Sequence, residues 1–304
     1  MLATPLNLVI LRALASRPMR LAELRQAAGL PAQTTLRGHL ASLAEIGVLS
    51  KRPTQQMPYA VENELTPMGR EMLDVAAELE AWLATAPDGP ISLEGGAAKG
   101  VIKAFVDGWG STMMRGLVAQ PMSLTELDRL IVDLSYPALE RRLASMRMAG
   151  LIEARPSRGA GTPYAVTDWA RRGVGPLAAA GRCERVHMRK RAAPVTQTDI
   201  EAAFMLAVPL VWLSPDVAGA CRLEVEAPAS ALRQPAGVTV RVEGGKVVSC
   251  ESQLAASPGA FAAGSTSMWF SAVKEGAPAL LRFGGSRQLP EDLVTGLHKA
   301  LTVR

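Results

Sequence analysis

Cysteine, histidine and aromatic residues are scarce in this 304-residue chain: three Cys, three His, and only 4% Phe, Trp and Tyr together. Cys183, Cys221 and Cys250 are scattered and match neither metal nor paired-disulfide spacing, so reduced thiols are expected. His39, His187 and His298 are equally far apart, and no metal or cofactor is expected. The chain shows no nucleophile–base pair, phosphate loop or metal cluster, which argues against an enzyme. Long hydrophobic runs are also missing. Phe204 to Leu213 is apolar for about ten residues, half of what a bilayer span needs. Met1 to Ile10 has no basic stretch before its apolar run, and Arg12 interrupts that run soon after, so no secretory signal is read and a cytoplasmic location is expected.

What the chain does contain is one pattern written twice, about 103 residues apart. Pro18-Met19-Arg20-Leu21-Ala22-Glu23-Leu24 recurs as Pro121-Met122-Ser123-Leu124-Thr125-Glu126-Leu127. Leu36, Leu40, Gly47 and Leu49 fall on Leu139, Leu143, Gly150 and Ile152, and Arg52-Pro53 on Arg155-Pro156. Pro58-Tyr59-Ala60-Val61 meets Pro163-Tyr164-Ala165-Val166 after a two-residue slip. A register held this long implies two copies of one small domain.

Each copy predicts helix, helix, turn, helix and a two-stranded wing. In the first, Leu8, Leu11 and Leu14 form an apolar stripe ended by Pro18. A short helix from Leu21 to Ala28 stops at Gly29. A third helix with Leu36, Leu40 and Leu43 inward ends at Gly47. Val48 to Arg52 and Tyr59 to Val61 predict the wing strands, and Thr66-Pro67 opens a fourth helix to about Leu83. The second copy predicts helices over Leu124 to Leu130 and Ser135 to Ala149, with strands either side of Arg155 to Thr162.

That order is a winged helix-turn-helix. The pattern Leu24 … Leu36-x-x-x-Leu40-x-x-Leu43 … Gly47-Val48-Leu49 … Tyr59 … Leu65-Thr66-Pro67-x-Gly69-Arg70 resembles the HxlR-type branch of bacterial repressors, which is similar to the MarR group. The second copy matches with Leu127, Leu139, Leu143, Gly150-Leu151-Ile152 and Tyr164-x-Val166-Thr167, and carries Gly108-Trp109 where the family commonly has Gly-Lys-Trp. It departs at Ala170, which stands where the first copy has Gly69, and at a last helix interrupted by Gly173, Gly175 and Pro176. The resemblance implies double-stranded DNA as partner and homodimers as the usual assembly; two copies in one chain suggest a built-in pseudo-dimer, and further dimerisation stays open.

In such a frame the third helix reads the major groove and the wing meets backbone. The first copy offers Gln33, Thr34, Thr35, Arg37 and His39, with Lys51 and Arg52 on the wing. The second offers Ser135, Tyr136, Arg141 and Arg142, with Arg155 and Arg158 on the wing. Glu140 argues against contact, since a carboxylate repels phosphate. Charge follows the repeats: 9 of the 33 Lys/Arg and 10 of the 28 Asp/Glu lie in residues 194–304, leaving the net surplus in the first 193. A polyanion partner therefore belongs to the repeats.

Residues 84–99 are rich in Gly and Pro and predict a linker. Residues 182–194, with six basic residues, predict either a solvated connector or a backbone-tracking strip. From Pro194 the pattern turns α+β: a helix over Thr198 to Leu213, strands at 222–226, 237–242 and 247–251, a helix over Pro258 to Ala272, a strand at 279–283 and a closing helix from Pro290 to Leu301. Gly-Gly-Lys-Val, Ser-Pro-Gly-Ala-Phe, Trp269, Lys274-Glu275-Gly276 and Leu281-Arg282-Phe283-Gly284-Gly285 resemble the sterol-carrier-protein type. That resemblance implies an apolar tunnel, with Phe204, Leu206, Trp212, Phe261, Met268, Trp269 and Phe270 as candidate liners. Aromatics at these spacings also simply fill cores.

The expected fold class is thus mostly α with α+β: two winged helix-turn-helix domains in tandem, residues 1–88 and 97–185, followed by an α+β sterol-carrier-like domain, residues 194–304. The expected function is a DNA-binding transcription regulator, a repressor by resemblance, responding to a hydrophobic small-molecule effector. The alternative is a small-molecule-binding or sequestering protein whose winged helices no longer bind DNA.

Overall fold

The computed structural model describes residues 1–53, 61–110, 112–156, 161–188, 195–226, 236–252 and 259–302. The first unit runs α1 (Pro5–Leu14), β1 (Met19–Arg20), α2 (Leu21–Ala27), α3 (Gln33–Glu45), β2 (Leu49–Pro53), β3 (Val61–Leu65) and α4 (Pro67–Ala84). The second runs α5 (Gly96–Gly110), α6 (Met113–Ala119), α7 (Leu124–Leu130), α8 (Tyr136–Met148), β4 (Ile152–Ala154), β5 (Tyr164–Val166), α9 (Asp168–Arg172) and α10 (Val174–His187). The third comprises α11 (Gln197–Ala207), β6 (Gly219–Val225), β7 (Ala236–Glu243), β8 (Lys246–Glu251), β9 (Phe261–Gly264), α12 (Thr266–Glu275), β10 (Arg282–Gly284) and α13 (Gln288–Leu301), with 3-10 turns at Val208–Leu210 and Pro278–Leu280. The result is a mixed α/β chain. Among the described residues no helix is long and apolar enough to cross a membrane.

The first two units share a set of local hydrogen bonds. Helices α3 and α8 each end in a glycine with left-handed backbone, Gly47 at φ +84° and Gly150 at φ +70°, a conformation in which any side chain would be strained. There Val48 N–H donates to Leu43 O and Leu151 N–H to Met146 O, both at 3.0 Å, turning the chain into the wing. The Thr66 hydroxyl donates to Gly47 O at 2.7 Å and accepts from Gly69 N–H at 3.1 Å. Thr167 does the same with Gly150 O at 2.9 Å and Ala170 N–H at 3.2 Å. One threonine thus both caps the helix after the wing, α4 or α9, and ties it to the end of α3 or α8. Met19 pairs with Asn63 in the first unit, and Met122 pairs with Tyr164 at the same register in the second.

Several elements differ from the sequence expectation. Residues 84–99 do not swing free: Ile91 N–H donates to Leu83 O at 3.1 Å, Leu93 is buried, and Glu94 pairs with Arg12. Its Gly and Pro residues shape turns against the first unit instead of loosening the chain. The first six residues of the expected second connector, 182–187, are the end of α10, with Cys183 fully buried. In the wing, Tyr59 and Ala60 lie outside the described residues, and the strand from Val61 continues to Leu65. Phe261 sits in β9, not in a helix, because α12 starts only after Ser265, whose hydroxyl accepts from Met268 N–H.

Like elements join the repeats. Residues 67–84 correspond to 168–185, and α4 packs along α10. Trp82 and Trp169 stack at 4.7 Å and 13°, and each indole N–H donates to the other's carbonyl, at 2.8 and 2.9 Å. The third unit is a five-stranded sheet in the order β10-β9-β6-β7-β8, parallel only between β6 and β9. Its helix α11 lies across β7 and also meets α6 and α9 of the second unit. Arg171 Nη1 donates to Met205 O at 2.8 Å. A Cβ on Gly175 would stand 2.6 Å from Leu301 O, so glycine lets α13 dock directly on α10.

Candidate nucleic-acid interface and interdomain cavity

Helix α3 is amphipathic by its own spacing. Leu36, Leu40 and Leu43 are at most 5% exposed, while Gln33, Thr34, Thr35 and Arg37 face solvent. Arg37, Lys51 and Arg52 make no ion pair among the described residues, although Arg52 stands opposite Glu62 in the wing ladder. His39 is a correction: it is half-buried, with Nδ1 2.7 Å from Asn7 Oδ1 of α1, so its ring serves the fold and not the outer face.

Helix α8 buries Leu139, Leu143 and Met146 and exposes Ser135, Tyr136, Glu140 and Arg141. Arg142 is half-buried, a less complete presentation than expected. Neither arginine makes an ion pair among the described residues. Arg155 is already engaged, with Nη2 2.8 Å from Glu153 Oε1. Arg158 lies outside the described residues. Sequence reasoning missed two exposed apolar side chains: Met148 on α8 is 83% exposed, and Val132 in the turn before α8 is 86% exposed. Met148 was legible as a residue outside the leucine stripe.

A cavity of about 460 Å³ lies between the second and third units. Its walls are Val106 and Trp109 of α5, Leu177 and Gly181 of α10, Ile200, Ala203 and Phe204 of α11, Trp269 and Phe270 of α12, and Leu297 and Leu301 of α13. Phe204 meets Trp269 edge-on at 4.9 Å, and the Trp269 indole N–H donates to Glu224 O at 2.7 Å, fixing both rings.

Of the seven expected liners, Phe204, Trp269 and Phe270 line this cavity and four do not. Leu206 is fully buried two residues beyond Phe204, about 200° around α11 and hence on its other side. Met268 turns outward beside Trp269, at 37% exposed. Trp212 is 72% exposed under Lys246 Nζ, which stands 5.1 Å from its ring. Phe261 is held between the guanidiniums of Arg222 and Arg282, at 5.7 and 5.4 Å. The expectation also missed that part of the wall comes from α5 and α10 of the second unit.

The cavity has a polar margin. Asp199 accepts from the Trp109 indole at 2.8 Å and pairs with Arg115. Burial alone would raise its pKa, but the bonds from Thr196 and Trp109 and the charge of Arg115 hold it below the usual carboxylate range. Arg185, also in the wall, has a buried Nε with no hydrogen-bond partner among the described residues.

No curated protein matches the chain. Residues 2–88, less than a third of it, match the family model described as HxlR-like helix-turn-helix, and so carry a helix-turn-helix similar to that of a family of DNA-binding transcription regulators.

Proposed function

We propose that the chain is a transcription regulator that grips DNA through α3 and α8 as a covalent pseudo-dimer and responds to an apolar effector held between the second and third units. The carrying observation is that the matched helix-turn-helix exposes Arg37, Lys51 and Arg52, and the unmatched second unit Arg141, none of them in an ion pair among the described residues. Phosphate-facing arginines such as Arg37 and Arg141 position a protein, while Gln33 suits a base edge. The repeated threonine and glycine bonds support a second winged unit, and the α4–α10 packing supports the internal pairing. The third unit supports the sterol-carrier-like assignment by its sheet and its share of an apolar cavity.

The cavity volume falls in the range of small-molecule sites, about 300–1,000 Å³. Its apolar walls favour a hydrophobic ligand, and the buried Arg185 Nε, without a partner among the described residues, favours one with an acceptor group. Repression follows if the ligand-free form is the DNA-binding one. We assign the chain no catalytic role. The test is a fluorescence-anisotropy titration of a mixed-sequence duplex with and without molecules released from the purified protein. Absence of duplex binding at low salt would reject the regulator.

One observation favours the sequestering alternative. Helix α8 carries Met148 and Glu140 in the open, and the turn before it exposes Val132, an apolar and anionic surface poorly suited to a phosphate backbone. A bound small molecule together with no duplex affinity would establish that reading.

A further inference from the structure

Glu71 of α4 and Cys183 and His187 of α10 are joined by the fold. The carboxylate oxygen, thiol sulfur and ring nitrogen all lie within 4.8 Å of one another. Cys183 and His187 are four residues apart, hence on one face of α10, and Glu71 faces them from the helix packed alongside. The cluster is enclosed: Cys183 is 0% exposed, and the side chains of Glu71 and His187 are 15% and 20% exposed. Glu71 Oε1 pairs with Arg182, while Oε2 stands 2.8 Å from His187 Nε2. The thiol forms the third corner and makes no hydrogen bond among the described residues.

We propose that Glu71 Oε2, Cys183 Sγ and His187 Nε2 form a site for a divalent transition metal of the zinc type, held between α4 and α10 with a fourth position for water. One sulfur, one nitrogen and one oxygen suit zinc or cobalt, whereas magnesium and calcium take oxygen alone. A tetrahedral metal with bonds near 2.0–2.1 Å separates its nitrogen and oxygen ligands by about 3.3 Å, so the His187–Glu71 contact opens by only about half an ångström. Arg182 keeps Oε1 and orients the carboxylate.

Redox sensing fits the thiol less well. Burial pushes Cys183 up to about 11, which leaves little thiolate to react at neutral pH. Cys221 and Cys250 belong to the third unit's sheet and offer no neighbouring thiol on α4 or α10. A dication reverses the balance, since metal ligation displaces the thiol proton to solvent. Bound there, the metal ties α4 to α10 and so fixes the seam between the repeats.

The test is a titration of the full chain, under reducing conditions, with cobalt(II) as the spectroscopic probe. The expected result is a thiolate-to-cobalt charge-transfer band that saturates at one equivalent and is displaced by zinc. Cys183→Ser removes the band, and His187→Gln and Glu71→Gln each weaken binding at least tenfold. The double variant Cys221→Ser/Cys250→Ser keeps the band at full intensity, and this arm stands even if Cys183→Ser folds poorly. No band in the wild type, loss of the band in the double variant, or unchanged affinity in His187→Gln and Glu71→Gln would overturn the site. The readout needs no DNA, so it stands or falls apart from the regulator proposal.

Discussion

Replacing Arg37 and Arg141 by alanine removes one exposed cation each from α3 and α8. Among the described residues neither side chain makes an ion pair or hydrogen bond, so thermal melting is expected to stay unchanged. Each phosphate contact adds about 0.9 to the slope of log affinity against log salt, so losing two lowers the slope by about 1.8. Over a fourfold rise in salt, from about 50 to 200 mM, each contact is worth about 3.5-fold and the pair about twelvefold. The wild type should lose that much more affinity than the variant across the interval. Anisotropy titration of a labelled mixed-sequence duplex at several salt concentrations measures both slopes. Arg155→Ala is the internal comparison: Glu153 already engages that guanidinium at 2.8 Å, so its slope should move less. Equal slopes for wild type and double variant would refute the assignment of α3 and α8 to the phosphate backbone.

Ala203→Phe places a ring in the interdomain cavity and should weaken binding of an apolar fluorescent probe at least tenfold, while leaving ligand-free DNA affinity as it was. Trp169→Phe keeps the ring stack and removes one indole hydrogen bond to Trp82 O, which still accepts from the Thr85 N–H and hydroxyl, so urea unfolding should show a loss of only about 0.5–1.5 kcal/mol. Asp199 has a depressed folded pKa, so its contribution is present above the unfolded value, about 3.9, and fades as pH falls through the folded one. Asp199→Asn should lower stability at neutral pH and flatten the acid limb of a pH–melting curve. Gly175→Val should split the α10–α13 contact, read as a lowered melting temperature and loss of probe binding.

Helices α3 and α8 and their leucine stripes were legible because local spacing alone sets which side of a helix is buried. Gly47 and Gly150 were legible for the same reason, as stops after a periodic run. Phe261-Ala262-Ala263-Gly264 was misread as helical because alanine favours helices, whereas burial between β6 and β10 decides its state. Ser265 carried the missing signal, since a serine cap marks where a helix starts. The four misplaced cavity liners reflect a different limit: aromatic content says that a residue is buried or large, not which unit it faces. Glu71 stands 112 positions before Cys183, so no local pattern links them. Cys183 and His187, four apart on a helical stretch, were the legible half of that cluster.

Helix α10 is a party wall. One flank rests on α4 and the other bounds the apolar chamber under α11 and α12. A tenant on the chamber side and a pin on the far side therefore push on the same rod from opposite directions. With Gly175 seated against Leu301 at one end, that rod has little freedom to yield to both at once.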